Sequence, residues 1–406
     1  MNKKRQSLFY LALSLLIMSL LVGGSILLLD ASTVSDSPKA GVSSKNIDTT
    51  GALMTAGNFG DSPIYIDGNF SEGEWEGSGV VNDPYIIEDL RINPTTNGTP
   101  GILIENTDAY FKIENVTVID SFPDELDIGG FYLDNVTNGV LINNNATENQ
   151  FGFWLKNSDN NTLSNNFAKG NAVGFMLSNS ANNNTLSSNI ADNNNYDSPD
   201  GTLEGAGFHV EENSNDNALN NNTATNHGLW GFSFAESDDN DLINNTANNN
   251  SIGFLLAESD DNDLINNTAN KNNDGSSAGF QLTGENNNLT NNIANENEGH
   301  GIYLGNSNHT TIMGNTANEN KDYGIYLTLS NYNTITDNTF KYNEDGCIEE
   351  GDYFCAGNEF DNNICEDTID SDYFNDNEIT GYNILIVLSI AAISTFLLIK
   401  QKNMTK

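Results

Sequence analysis

Glu105, Asp134 and Lys156 each stand four residues past a glycine, at Gly101, Gly130 and Gly152, while Tyr132 and Trp154 stand two residues past the last two of these. If the three glycines are equivalent points of a repeat, the charged side chains stack in one column. Two carboxylates about 5 Å apart can act as acid and nucleophile of a retaining glycosidase. A lysine beside them can serve a lyase as base. The same three residues also describe a surface charge ladder, worth about 0–1 kcal/mol. No histidine or arginine joins them, so turnover is the alternative reading and binding the first.

The same two offsets recur with other chemistry. His209 follows Gly207 by two residues and Glu211 follows it by four, and Tyr303 and Tyr326 follow Gly301 and Gly324 by two. Flat rings suit carbohydrate, because a sugar ring can lie against an apolar face while hydroxyls reach polar neighbours. Tyr132, Trp154, His209, Glu211, Tyr303 and Tyr326 are therefore the candidate ligand-binding residues; the alternative is that they only cover the surface. Asp216, Asp239 and Asp261 form a second series, each three residues before a leucine. Stacked carboxylates repel unless screened or bridged, and hard oxygen ligands suit Ca²⁺. Ca²⁺ is the one cofactor the sequence suggests, and a solvated acidic edge accounts for the same residues without it.

These readings need an element that brings residues 22 apart into contact. Ala235–Asn248 and Ala257–Asn270 are identical over fourteen residues, offset by 22. Glycine followed by apolar–x–apolar recurs at Gly101, Gly130, Gly152, Gly174, Gly207, Gly231, Gly253, Gly279, Gly301 and Gly324. Such a period means stacked structural units. Each triplet alternates like a short strand, with Phe153 and Leu155 on one face and Trp154 on the other. A second apolar site (Leu141 to Ile335) and a third, usually alanine (Ala146 to Ala317, then Phe340), follow in every coil. Three strands per 22 residues describe one rung of a triangular parallel coil. Helix is disfavoured, because 3.6-residue periodicity is absent and Asn and Gly are poor helix formers.

Three residues past the second apolar site stand Asn144, Asn166, Asn189, Asn222, Asn245, Asn267, Asn292, Asn315 and Asn338. They are expected to form a structural ladder, since Asn tolerates left-handed backbone at a tight corner and stacked amides bond along a cross-β column. The glycines are expected to mark corners with positive φ or a close backbone approach. Asp120–Gly129, Asn193–Ala206, Lys271–Ala278 and Glu344–Gly357 read as insertions that all fall just before a strand-opening glycine or its equivalent and crowd one edge.

Charge and termini bound the setting. The chain of 406 residues carries 56 acidic against 15 basic side chains, a net charge of −41, which repels nucleic acid and anionic lipid. Residues 1–29, basic then apolar, read as a signal peptide or signal anchor, and 30–60, rich in Ser, Thr and Gly, as a flexible linker. The coil domain is expected over 61–365, with an N-terminal cap at 61–100 and a C-terminal cap at 341–365, then an acidic linker at 366–383. Residues 384–399 are apolar enough for a transmembrane helix. Lys400, Lys402 and Lys406 put the 400–406 tail in the cytoplasm. The coil body is then outside the cell membrane, where Asn-x-Ser/Thr sequons such as Asn244 and Asn266 are at home. Cys347, Cys355 and Cys365 are disulfide candidates there, one pair and one thiol being the simplest arithmetic.

With "GFWLKNSDNNTLSNNFA", "GIYL…NTITDNTF" and the opening motif "DPYIIEDLRI" at 83–92, the chain resembles right-handed parallel β-helix repeat proteins of the NosD-like group over about 82–345. That resemblance implies an all-β, right-handed solenoid of about ten to twelve coils. Its relatives include carbohydrate-binding and sugar-hydrolysing domains, epimerases, lyases, surface proteins and a copper-maturation protein. Copper is not supported by this sequence, whose methionines and histidines are scattered over different coils. The polygalacturonase-like aspartate constellation is also missing. The expectation is a membrane-anchored surface protein that binds carbohydrate or another surface protein; the alternative is a polysaccharide lyase, hydrolase or epimerase acting on the outward face.

Overall fold

In the computed structural model, the described residues are 45–47, 53–55, 62–68, 70, 75–94, 99–119, 121, 129–195, 205–273, 278–351 and 355–366. The predicted segments 1–29, 384–399 and 400–406 lie outside them, and so does nearly all of the acidic linker. Among the described residues there is no helix, and none long and apolar enough to cross a membrane. The described residues between 62 and 366 wind as a parallel β-solenoid with three faces. The first and second faces carry twelve strands each, and the third is a seven-strand sheet and a three-strand sheet. Single bridges at Thr246, Thr268, Ile293 and Thr316 join the two pieces of the third face. Within the predicted linker, Lys45–Ile47 pairs antiparallel with Leu53–Thr55.

The register explains the 22-residue period. Phe131, Phe153, Phe175, Phe208, Phe232, Phe254 and Phe280 are successive partners on the first face. Their rings stack at 4.6–4.8 Å and within 7° of parallel. Ile302 and Ile325 continue the column. Leu141 to Ile335 fill the second face and the alanines the third, all buried. One coil cannot cover these side chains; its neighbours do. Each buried ring contributes about 1.5–3 kcal/mol.

Four corners per coil turn the chain, and each uses two residues. In the coil opening at Ala235 they are Glu236–Ser237, Asp239–Asn240, Asn244–Asn245 and Asn249–Asn250. The first of each pair has φ between 49° and 57°; the second is buried, at most 1% exposed. The predicted Asn column is the second member at one corner. The Oδ1 of Asn245 accepts the backbone N–H of Asn222 at 2.9 Å and its amide at 3.1 Å. Its own Nδ2 donates to Leu219 O at 2.7 Å and Asn267 Oδ1 at 3.1 Å. The expectation of left-handed backbone at these asparagines is corrected: positive φ falls one residue earlier, on Asn143, Asn165, Ser188, Asn221, Asn244, Asn266, Asn291, Gly314 and Asp337. The ladder residue itself has no positive φ, and its side chain points inward to bond corner backbone groups that would otherwise be unpaired.

Two further Asn columns went unrecognised in the sequence. One runs Asn149, Asn171, Asn194, then His227, then Asn250 to Asn343; the other runs Asn161 to Asn262, Asn287, then Thr310, then Asn333. A serine column (Ser158, Ser214, Ser237, Ser259, Ser307, Ser330) serves the remaining corner. The two interruptions show: His227 Nε2 and Thr310 Oγ1 are buried without a hydrogen-bond partner. The opening glycines have no positive φ; close approach is their reason. A Cβ on Gly253 would lie 2.4 Å from Gly279 O and 2.8 Å from Ala269 Cβ.

At the N-terminal end, Phe70 stacks on Tyr85 at 4.6 Å and meets Trp75 edge-on at 5.7 Å, closing the core. At the other end, Gly346–Glu350, Glu359–Asp361 and Ile364–Glu366 form a full last coil. That corrects the reading of Glu344–Gly357 as an insertion before an opening glycine or its equivalent. It contains the first-face strand itself, with Cys347 where earlier coils carry glycine, and its extra residues come after that strand. The other insertions lie mostly outside the described residues.

Candidate functional site

The outward side chains of the first face stand in register as columns. Leu103, Tyr132, Trp154, Met176 and His209 are successive partners, then Ser233, Leu255, Gln281, Tyr303, Tyr326 and Glu349. Glu105, Asp134, Lys156 and Ser178 form the adjacent column. Gly152 and its equivalents disturb the alternation, so the residue before each glycine adds a third outward column, including Phe151, Val173, Ala206 and Trp230, then His300 and Tyr323.

Asp134 and Lys156 meet, with Lys156 Nζ 3.5 Å from Asp134 Oδ2. The Tyr132 hydroxyl donates to the same Oδ2 at 3.1 Å, and Lys156 Nζ lies 3.5 Å from that hydroxyl. Asn157, Asn179, Ser180, Glu212, Asn213 and Glu236 complete an open polar depression of about 560 Å³. Glu105 is drawn elsewhere: it accepts a hydrogen bond from Tyr65, whose hydroxyl is pushed up to about 12 by that bond, with burial and the Glu105 and Asp67 charges adding. The structure thus gathers a Tyr–Asp–Lys set from Asp134 and Lys156 and leaves Glu105 on its flank.

Tyr132 and Trp154 stack at 4.3 Å and 6°, but they are 9% and 5% exposed. With Phe151, Val173, Met176 and Ala206 they form an apolar cluster outside the main core. Trp154 Nε1 donates to Ser178 Oγ at 2.9 Å, and Lys156 Nζ sits 5.8 Å from the indole centre. Their faces are taken. His209 Nε2 lies 3.0 Å from Glu211 Oε2, and the ring stacks on Trp230 at 5.6 Å; its Nδ1 is buried and unpartnered.

Tyr303 and Tyr326 have different company. His300 stacks on Tyr326 at 4.8 Å and 3°, Tyr303 on Tyr326 at 5.9 Å, and Tyr323 on Tyr326 at 5.8 Å. All four rings are half-buried. His300 and Tyr323 were missed in the sequence because they precede the glycine, a position that simple alternation points inward. Burial lowers the His300 imidazole below its usual value, against the pull of Asp322 and Asp345. Burial and the Tyr326 neighbour raise the Tyr303 hydroxyl.

Asp216, Asp239 and Asp261 are left-handed corner residues with φ of 56–57°, a conformation Asp adopts more readily than most residues. Burial and the neighbouring Asp261, Asp216 and Asp238 raise the Asp239 carboxyl above its usual value. Among the described residues no three His, Cys, Asp or Glu side chains are grouped to hold a metal ion. Cys347 and Cys355 are half-buried against the end of the core, and Cys365 is exposed.

Solved structures share this architecture at low sequence identity. The chain is similar to a double mutant of the periplasmic alginate epimerase AlgG, with 15% identity over 69% of each chain and a TM-score of 0.50. The Azotobacter vinelandii mannuronan C-5 epimerase AlgE6 A-module gives 14% identity, 74% of this chain, 84% of that one and a TM-score of 0.49. A DFA-IIIase from Arthrobacter chlorophenolicus A6 gives 12%, 68%, 81% and 0.46. The first of these likenesses bears on the fold alone. No curated protein matches the sequence. The stacked coils, the register and a family-model match to the right handed beta helix region over residues 69–247 and 230–384 agree: the chain belongs to the right-handed β-helix family.

Proposed function

We propose that this chain is a membrane-anchored surface protein whose β-helix lies outside the cell and binds carbohydrate without turning it over. The observation that carries the binding is the group of four half-buried, mutually stacked rings of His300, Tyr303, Tyr323 and Tyr326. Such a group offers apolar area and polar edges together, which is what a sugar chain recognises. The apolar stretch 384–399 followed by Lys400, Lys402 and Lys406 supports the anchor and its orientation. The experiment is retention of the full chain on a panel of immobilised glycans. Retention that is lost in Tyr326→Ala supports the reading; no retention on any glycan defeats it.

A second reading, a lyase, hydrolase or epimerase, is favoured by one observation: Tyr132 Oη and Lys156 Nζ both lie within 3.5 Å of Asp134 Oδ2 beside an open depression. A lysine or tyrosine near a carboxylate can move a proton at a sugar carbon. New reducing or unsaturated ends, or inverted uronate residues, that disappear in Asp134→Asn would establish it over binding alone.

A further inference from the structure

We infer that the ring group at His300, Tyr303, Tyr323 and Tyr326 selects a positively charged glycan, a polymer of amino sugars with free amines. This rests on the carbohydrate reading above and names its ligand class. Carboxylates rim the rings. Glu349 is the register partner of Tyr326 on the last coil, and Asp322 Oδ2 lies 3.7 Å from His300 Nδ1. Asp322, Asp345 and Glu349 all act electrostatically on the Tyr323 hydroxyl, which burial and these charges raise. The adjacent cation, Lys321, is held by Glu344 at 2.6 Å. Burial works against a positive charge on His300.

An ammonium group near electron-rich rings gains about 0.5–1 kcal/mol at an exposed site, and each nearby carboxylate adds to that attraction. A uronate chain meets the opposite: three carboxylates at the rings and a chain of net charge −41. Uncharged sugars keep the ring contacts and lose the ionic part. The depression at Asp134 is the contrast, because there Lys156 stands in the lining. Gly351 makes the rim close-fitting: a Cβ there would lie 2.3 Å from the Tyr326 hydroxyl oxygen.

The test titrates the full chain with a glucosamine hexamer, its fully N-acetylated counterpart and a mannuronate hexamer. The amine form is expected to bind about tenfold tighter than the acetylated form at low salt, with the gap narrowing as salt screens the charges. The uronate should not bind. Glu349→Gln should weaken the amine form about twofold to fivefold, the loss of one exposed ion pair, and leave the acetylated form unchanged. Glu258→Gln, at an exposed corner away from the rings, should change neither. Equal affinity for the two glucosamine hexamers, or tighter uronate binding, overturns the selectivity while leaving carbohydrate binding standing. Amine binding that survives Tyr326→Ala, or that Glu258→Gln weakens as much as Glu349→Gln, would show a diffuse charge effect and also overturn it. Binding of none of the three overturns the inference, and absence from a wider glycan panel separately removes the carbohydrate reading.

Discussion

Two aromatic groups stand on the same outward face, at the same register positions, and differ in their fate. Around Tyr132 and Trp154, Met176 of their own column and Phe151, Val173 and Ala206 of the neighbouring one seal the rings, with Trp154 Nε1 spent on Ser178. Around Tyr303 and Tyr326, the same columns supply His300 and Tyr323, more rings with polar edges, and the group is left half open. The difference is made by the residue before the opening glycine. Where it is aliphatic or Phe, the outward rings become a second small core; where it is His or Tyr, they become a surface.

The deepest way to disturb both groups is through the scaffold between them. Asn245→Leu removes the acceptor of two Asn222 N–H bonds and the donor to Leu219 O. Each buried group left unpaired costs about 1–3 kcal/mol, so a loss on the order of 4 kcal/mol is expected in chemical denaturation. Hydrogen exchange should rise most in coils 207–279, because coupling in a solenoid runs between neighbours. Gly101–Asn144 should change little.

Trp154→Ala comes next. Emptying a sealed position should cost about 3 kcal/mol, whereas Tyr326→Ala, on the open group, should cost under about 1 kcal/mol. Melting of the two variants side by side checks the contrast; equal losses would erase it.

His227 sits in a corner column between the coils that bear the two groups. Burial lowers its imidazole from 6.5 to about 4, against weaker upward pulls from Asn194, Ala191 and Asp192. The folded state thus binds the proton more weakly than the unfolded state. Stability is unaffected above about pH 6.5 and is lost as pH falls toward about 4, by up to about 3 kcal/mol at one site. His227→Asn restores the amide of that column and should be more stable than the parent, with the gap widening from pH 7 to pH 4. Denaturation of the two proteins at matched pH values cancels the carboxylate titrations they share. A constant gap would mean that His227 does not titrate as described.

The solenoid was legible because a repeat prints its core in register. The Gly column, the Leu column and the Asn144–Asn338 series each survived every insertion in the chain. The other two Asn columns were hidden by their neighbours: in "NN" and "DN" pairs the sequence does not say which residue turns the corner and which is buried. That ambiguity also placed positive φ on Asn245 instead of Asn244. At the candidate site, Tyr303 and Tyr326 were visible from alternation. His300 and Tyr323 were not, because they precede Gly301 and Gly324, a position that simple alternation points inward; a Cβ on those glycines would strike Gly324 O and Cys347 O of the next coil. Glu105 was in the right column and yet turned to Tyr65, which no spacing rule reveals.

The central claim is that the corner columns hold the fold and the open rings hold the ligand. The most direct measurement is glycan affinity of Tyr303→Ala and Tyr326→Ala in the full chain, each compared with its own melting temperature. Affinity is expected to fall at least about tenfold, the loss of one stacked ring at about 1.4 kcal/mol or more, while the melting temperature stays near that of the parent protein. Unchanged affinity in both variants for a glycan that the parent retains would contradict it.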